Sequence, residues 1–153
     1  MKVELKNIQY VASMSEETHC FTASLYVDGV KRGTVSNRGY GGSTDFTDWG
    51  AMEELDAYGK TLPKIVRPFG EFDHDAESFV NDALEAYIAE KELTNKLRRR
   101  VLFLQGGKVW ESRAVSKEDL PHYIAHYAKD PTKTVLNTMP KPEAVRAYLA
   151  AFA

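Results

Sequence analysis

The chain has 153 residues, enough for one ordinary domain that builds a core without a metal ion or a disulfide. Its 20 Lys and Arg residues nearly balance 22 Asp and Glu residues, and the formal net charge of −2 excludes a generally basic nucleic-acid-binding protein but not a local basic patch. A single cysteine, Cys20, excludes a framework of internal disulfides and is typical of a reducing compartment.

The first third of the chain predicts an antiparallel sheet. Apolar residues alternate over residues 3–12, with a change of parity at Lys6-Asn7 that indicates a β-bulge. Residues 19–27 alternate without interruption, and Asp28-Gly29 is a strong hairpin signal because both residue types tolerate the positive φ angles of a type I′ turn. Residues 30–36 return as a third strand, so we expect a three-stranded meander.

A glycine-rich loop and a short helix follow the meander. Residues 37–44 hold three glycines and show no apolar periodicity, which predicts a loop. A helix is expected over residues 49–58, with Thr47 or Asp48 as its N-cap and Gly59 closing it in the C′ position.

The middle of the chain predicts a long helix that packs across the meander. Residues 62–72 contain two prolines and predict an extended connection before it. Apolar side chains then recur at helical spacing over residues 75–96. A second hairpin is expected over residues 101–114, with Gly106-Gly107 at its turn.

Two C-terminal helices complete the predicted fold. Residues 116–119 resemble a capping box that opens one helix, residues 134–136 can form a last short strand, and Pro142 suits the first turn of the closing helix. We therefore expect one α+β domain over residues 1–153. Two lobes within this domain, meeting near residues 60–72, are an alternative that stays open.

The glycine-rich loop is the segment we expect to bind a partner or ligand. Glycines let a backbone approach a ligand closely, and N–H groups before a helix can cradle an anion. The segment matches neither a Walker A loop nor the dinucleotide fingerprint. A tight turn also accounts for the glycines, and that alternative stays open. The predicted binding residues here are Asn37, Arg38, Gly39, Tyr40, Gly41, Gly42 and Trp49.

Charge is distributed unevenly along the chain. Residues 45–75 hold eight acidic and three basic residues, a net charge of −5, whereas residues 96–100 form a dense basic run. This run predicts either a site for a phosphate or an acidic protein, or an ordinary helix C-terminus, where cations are favoured by the helix dipole. Its predicted binding residues are Arg98, Arg99 and Arg100.

The sequence predicts no catalytic residues, no metal site and no cofactor. Cys20 and its neighbour His19 point to opposite faces of a strand, so they do not pair directly. His122 and His126 stand at i, i+4 on a predicted helix and could reach one metal ion, but no further ligand lies nearby. We expect both to be surface histidines, and a small metal-dependent hydrolase stays an alternative.

Three segments resemble small uncharacterised proteins encoded by bacteriophages and other mobile elements. The segments are Glu17-Thr18-His19-Cys20-Phe21, Val27-Asp28-Gly29 and Thr34-Val35-Ser36-Asn37-Arg38-Gly39-Tyr40-Gly41-Gly42. The resemblance covers roughly the first half of the chain. Such proteins often modulate a host enzyme or defence system by binding, so the resemblance implies a host protein as the partner.

Together these observations predict a non-enzymatic intracellular binding protein, an inhibitor or modulator of a host enzyme or defence system in the cytoplasm. The alternative is a small-ligand or nucleotide-binding protein that uses residues 37–44 with the basic run. No apolar run approaches the roughly 20 residues of a membrane span, and residues 1–10 do not resemble a signal or transit peptide. Whether the chain forms an oligomer stays open.

Overall fold

A four-stranded antiparallel sheet occupies the start of the chain. The computed structural model describes residues 1–152, and in it the strands β1 (Val3–Tyr10), β2 (Cys20–Val27), β3 (Val30–Arg38) and β4 (Asp45–Phe46) pair in sequence order. The predicted meander is confirmed as β1–β3, and β4 is an additional strand. A 3₁₀ turn (Ala12–Met14) follows β1.

The two local signals in the meander are both confirmed. The pairing of β1 with β2 shifts register between Lys6 and Gln9, and Asn7, which lies at this shift, has a φ of 52°, in the left-handed region that some β-bulges use. Asp28 and Gly29 have φ angles of 51° and 80°, which are those of a type I′ turn.

The predicted loop over residues 37–44 begins later than expected. Asn37 and Arg38 belong to β3, where they pair with Phe21 and Cys20 of β2. β4 resumes the sheet at Asp45, so the connection is only residues 39–44, here called the glycine loop. Strand pairing overrides the lack of apolar alternation at these two positions because the backbone of β2 offers partners there.

Helix α1 (Trp49–Gly59) begins as predicted and ends differently. The Asp48 carboxylate accepts a 2.9 Å hydrogen bond from the Ala51 N–H, which makes Asp48 the N-cap. Gly59 is the last helical residue and has no positive φ, so the predicted C′ role is wrong. A Cβ at Gly59 would overlap the carbonyl oxygen of His74, and close backbone approach is therefore what requires glycine here.

The predicted extended connection over residues 62–72 is instead a small hairpin of β5 (Ile65–Arg67) and β6 (Gly70–Phe72). Pro68 and Phe69 occupy the two-residue turn, where the missing N–H of proline breaks no pairing. Prolines that indicate an extended segment are thus compatible with a hairpin when one of them lies at its tip.

The long helix α2 (Ala76–Leu97) is confirmed close to its predicted bounds. The Asp75 carboxylate caps it by accepting a 2.7 Å hydrogen bond from the Ser78 N–H. Val80 and Leu84 are completely buried, as the helical spacing predicts. Three further apolar residues of the same helical spacing are half-buried: Phe79, Ala83 and Tyr87.

The residues of the chain cluster into two compact units, Met1–Leu84 and a second that begins at Glu85. The second unit contains β7 (Leu102–Gln105), β8 (Lys108–Glu111), α3 (Leu120–Ala128), β9 (Thr134–Val135), a 3₁₀ turn (Leu136–Thr138) and α4 (Lys141–Ala150). Its sheet has the order β8-β7-β9.

The second unit has a core of its own, and its elements agree with the predicted hairpin, short strand and two helices. The core side chains come from α2, β7, the 3₁₀ turn and α4: Ala89, Leu93, Leu102, Leu136, Ala144 and Tyr148. Gly106 and Gly107 have positive φ angles at the hairpin turn. Across residues 1–152, none of the helices is long and apolar enough to cross a bilayer.

Candidate functional site

Asn37 holds the glycine loop together from inside. Its Oδ1 accepts hydrogen bonds from the Thr18 hydroxyl at 2.7 Å and from the Gly39 N–H at 2.9 Å, and its Nδ2 donates to the Gly42 carbonyl at 2.9 Å. The residue is 7% exposed. Both acceptor positions of the amide and one of its donors are therefore used within the first unit, which makes Asn37 a residue that positions the loop.

Two of the three glycines are required by the backbone. Gly39 and Gly41 have φ angles of 89° and 98°, which L side chains rarely adopt. A Cβ at Gly39 would overlap the Met14 carbonyl oxygen, and one at Gly41 would overlap the Glu17 carboxylate. The tight-turn interpretation is therefore confirmed at both positions, whereas a Cβ at Gly42 would meet open space.

The far end of the glycine loop is anchored to the first turn of α2. The Thr44 N–H donates a 2.8 Å hydrogen bond to the Glu77 carboxylate, and Thr44 is buried. On the near side, the Gly39 carbonyl accepts from the N–H groups of Glu16 and Glu17 at 3.0 and 3.1 Å. Hydrogen bonds therefore tie both ends of this loop to neighbouring parts of the first unit.

Arg38 and Tyr40 point away from these contacts. Both residues are exposed, Tyr40 by 61%, and both line two hollows of the surface. The first, here called the Arg38 groove, has a volume of about 350 Å³ and also contains Val11, Met14 and Cys20 in its wall. Arg38 is the one charged side chain among the described residues that line it.

The second hollow lies on the loop side of the same two residues. It has a volume of about 300 Å³, and Gly42, Ser43 and Asp45 complete its wall. Arg38 and Tyr40 therefore form a shared border between the two hollows. We call these two side chains with both hollows the Arg38–Tyr40 face.

The aromatic residues beyond the loop divide into one buried and one exposed. Phe46 is paired with Val35 across β3 and β4 and is 9% exposed, so it covers the sheet. Trp49 is 70% exposed at the start of α1 but lines neither hollow of the Arg38–Tyr40 face.

An ion-pair cluster that sequence reasoning missed fixes the start of α1 to β3. The Arg32 guanidinium contacts the Asp48 carboxylate at 2.9 Å and the Glu54 carboxylate at 2.9 Å. Hydrogen bonds from Arg32 lower the pKa of both carboxyl groups. Nothing in the sequence connects Arg32 to two acids that lie 16 and 22 residues further on.

Most of the acidic side chains of residues 45–75 also take part in contacts within the first unit. Asp73 pairs with Lys64 at 3.2 Å, and the Asp56 carboxylate accepts from the Ala76 N–H at 2.7 Å. Five of the eight acidic side chains of residues 45–75 therefore have a partner within the first unit: Asp48, Glu54, Asp56, Asp73 and Asp75.

The residues of the basic run, 96–100, also differ in their contacts and exposure. Lys96 pairs with Glu92 at 3.3 Å and with Glu111 at 3.1 Å, and Arg100 donates to the Ser112 carbonyl at 3.0 Å. Arg98 and Arg99 are exposed. Lys96 lies in the last turn of α2, as the helix-terminus interpretation predicts, and Arg100 lies beyond the helix and contacts residues 111 and 112. Arg98 and Arg99 are accessible to a ligand.

The candidate metal ligands do not gather. His122 and His126 are exposed on α3, as expected of surface histidines. No group of three or more His, Cys, Asp or Glu side chains among residues 1–152 is placed to hold a metal ion. Cys20 is half-buried and lies in the wall of the Arg38 groove.

Comparison with models of protein families, with curated proteins and with solved structures finds no match for the chain. The geometry of the sites described above is therefore the basis for inferring a function.

Proposed function

We propose that the chain is a non-enzymatic binding protein that recognises a protein partner through the Arg38–Tyr40 face. The observation that carries this proposal is the contrast between the two sides of residues 37–44. Hydrogen bonds from Asn37 and Thr44 fix the backbone from behind, while Arg38 and Tyr40 extend from it into solvent.

These two residue types suit recognition when they stand on a fixed backbone. Arginine and tyrosine are enriched among the residues that dominate interface energies, because each combines a large contact area with directional hydrogen bonding. A backbone that is already ordered loses little conformational entropy on association. The neighbouring apolar wall of Val11 and Met14, which are 39% and 47% exposed, adds surface that a partner side chain can cover.

The partner class we propose is a host protein, such as an enzyme or a defence component, whose activity the chain modulates in the cytoplasm. The resemblance of residues 17–21, 27–29 and 34–42 to phage-encoded proteins supports this class of partner. The lone Cys20 is consistent with a reducing compartment.

A quantitative pull-down from host lysate tests the proposal. We expect a partner captured by the parent chain to be lost with Arg38→Ala and with Tyr40→Ala, each weakening binding about five-fold or more. Lys108→Ala removes one exposed positive charge elsewhere and should leave capture unchanged. Retention by Arg38→Ala and Tyr40→Ala together with loss by Arg99→Glu would assign binding to the basic run and contradict the proposal.

The Arg38 groove also favours a second candidate, a small anionic ligand with an apolar part. Its volume of about 350 Å³ falls at the lower end of ligand pockets, and its single charged side chain is cationic. A thermal-shift screen with nucleotides and aromatic carboxylates tests this candidate, since a ligand at about 100 times its Kd stabilises a protein by about 2.7 kcal/mol. A shift that disappears in Arg38→Ala would favour the small ligand over the protein partner.

A further inference from the structure

A second groove lies in the second unit, between α2 and the start of α4. It consists of two adjoining hollows that share Thr94, Arg98 and Lys141, with volumes of about 260 and 350 Å³. We call it the α2–α4 groove. Because all of its lining residues belong to the second unit, it is independent of the Arg38–Tyr40 face.

The smaller hollow is mostly apolar. Leu93, Leu136 and Ala144 form its floor and are almost completely buried in the core of the second unit. Leu97 and Met139 complete the wall and are half-buried, so a ligand can reach them. Flexible Leu and Met side chains adapt their shape to an aliphatic group.

Most of the side chains that line the larger hollow are polar or charged, and positive charges outnumber negative ones. Lys91, Arg98 and Lys141 line it, together with one carboxylate, that of Glu90. Glu90 already pairs with Lys141 at 3.4 Å, which leaves Lys91 and Arg98 as the excess positive charge. α4 begins at Lys141, at the edge of this hollow.

We propose that the α2–α4 groove binds an acidic peptide segment that carries an aliphatic side chain next to its carboxylates. The aliphatic side chain occupies the apolar hollow, and the carboxylates pair with Arg98 and Lys91. Charge complementarity selects an anionic ligand, and the apolar hollow selects a peptide over a nucleic acid. Single-stranded nucleic acids need several aromatic platforms on which bases stack, and Tyr87 is the one aromatic ring among the described residues that line this groove.

Fluorescence anisotropy with the full chain tests this proposal. The probes are fluorescein-labelled eight-residue peptides with one leucine and three aspartates, in a set that varies their spacing. Matched peptides replace the leucine by serine or the aspartates by asparagine. We expect at least one probe to bind saturably, and each replacement to weaken it about ten-fold, which corresponds to about 1.4 kcal/mol.

Variants of the chain separate the groove from its surroundings. Arg98→Glu and Lys91→Glu should each weaken the probe about ten-fold, while Arg99→Glu makes the same charge change outside the groove and should alter binding less than about three-fold. Arg38→Ala should bind the probe normally, so failure here is distinguishable from failure of the proposed function. Circular dichroism checks that each variant is folded.

Three results would overturn the proposal. The first is that no peptide of the set binds saturably. The second is that Arg99→Glu weakens binding as much as Arg98→Glu, because the effect would then come from overall charge. The third is that a single-stranded oligonucleotide of equal charge binds more tightly than the peptides and depends on Arg98, which would identify the ligand as a nucleic acid.

Discussion

Replacing Asn37 by alanine should destabilise the first unit and free the glycine loop. The substitution removes hydrogen bonds with Thr18, Gly39 and Gly42. Each bond stabilises a fold by about 0.5–1.5 kcal/mol net. Gly42 is exposed, so its carbonyl regains a water partner, whereas the buried Gly39 N–H is left without its side-chain acceptor. We therefore expect the free energy of unfolding to fall by about 2–4 kcal/mol.

Urea denaturation and hydrogen exchange together measure this effect. The midpoint of unfolding should shift, and the amide of Gly39 should exchange faster in Asn37→Ala than in the parent. Ser43→Ala is the matched control, since Ser43 is an exposed residue of the same loop, and its free energy of unfolding should change by less than about 0.5 kcal/mol. If Asn37→Ala were no less stable than Ser43→Ala, the argument that Asn37 holds the loop would be refuted.

Three further predictions concern the scaffold. Gly39→Ala should lower the melting temperature clearly and Gly42→Ala should not, because only Gly39 combines a positive φ with a neighbouring carbonyl; equal effects would contradict this. Leu84→Ala should cost about 2–5 kcal/mol in urea unfolding, since this side chain is completely buried, and a loss below about 1 kcal/mol would show that the site collapses or is not tightly packed. Arg32→Gln should lower the melting temperature at pH 7, with the difference from the parent narrowing below about pH 4. Arg32 lowers the pKa of Asp48, so the stability that this carboxylate contributes is present above its unfolded pKa and is lost as the pH falls through its folded pKa. A difference in melting temperature between parent and variant that stays constant down to pH 2 would contradict the pairing.

The features that were predicted correctly from the sequence depend on local patterns of residues. The type I′ turn is predicted from the backbone preferences of Asp28 and Gly29, and the β-bulge is predicted from the change of parity at Lys6-Asn7; both are confirmed. The periodicity of α2 likewise predicts the burial of Val80 and Leu84. Each of these features needs no partner distant in the chain.

The features that sequence reasoning missed depend on distant partners. The need for glycine at position 59 comes from the carbonyl of His74, 15 residues further on, and no local pattern indicates that approach. Asn37 lies in a segment whose sequence predicts a loop. In the structure it pairs with Phe21, belongs to β3 and is buried. Lys96 of the basic run forms an ion pair with Glu111 of β8, and no local pattern in the sequence indicates this pair.

The candidate site was predicted in part for the same reason. The sequence indicates a glycine-rich segment with Arg38 and Tyr40 beside it, and these two residues do line the hollows of the surface. The groove itself could not be predicted, because its wall unites Val11 after β1, Met14 of the 3₁₀ turn and Cys20 of β2. Only the folded sheet brings these three positions together.

Site-specific photocrosslinking at position 40 tests the central claim most directly. A benzophenone-bearing phenylalanine keeps an aromatic ring at the position it replaces, unlike Tyr40→Ala, so recognition should be retained. It replaces Tyr40 in one protein and Trp110 in another; these aromatic residues are 61% and 51% exposed, so both probes are accessible. After irradiation in host lysate, we expect a discrete covalent adduct with one host protein from position 40, absent from position 110 and abolished by Arg38→Ala in the same chain. An adduct with the same protein from position 110, or one from position 40 that persists in Arg38→Ala, would contradict recognition through the Arg38–Tyr40 face.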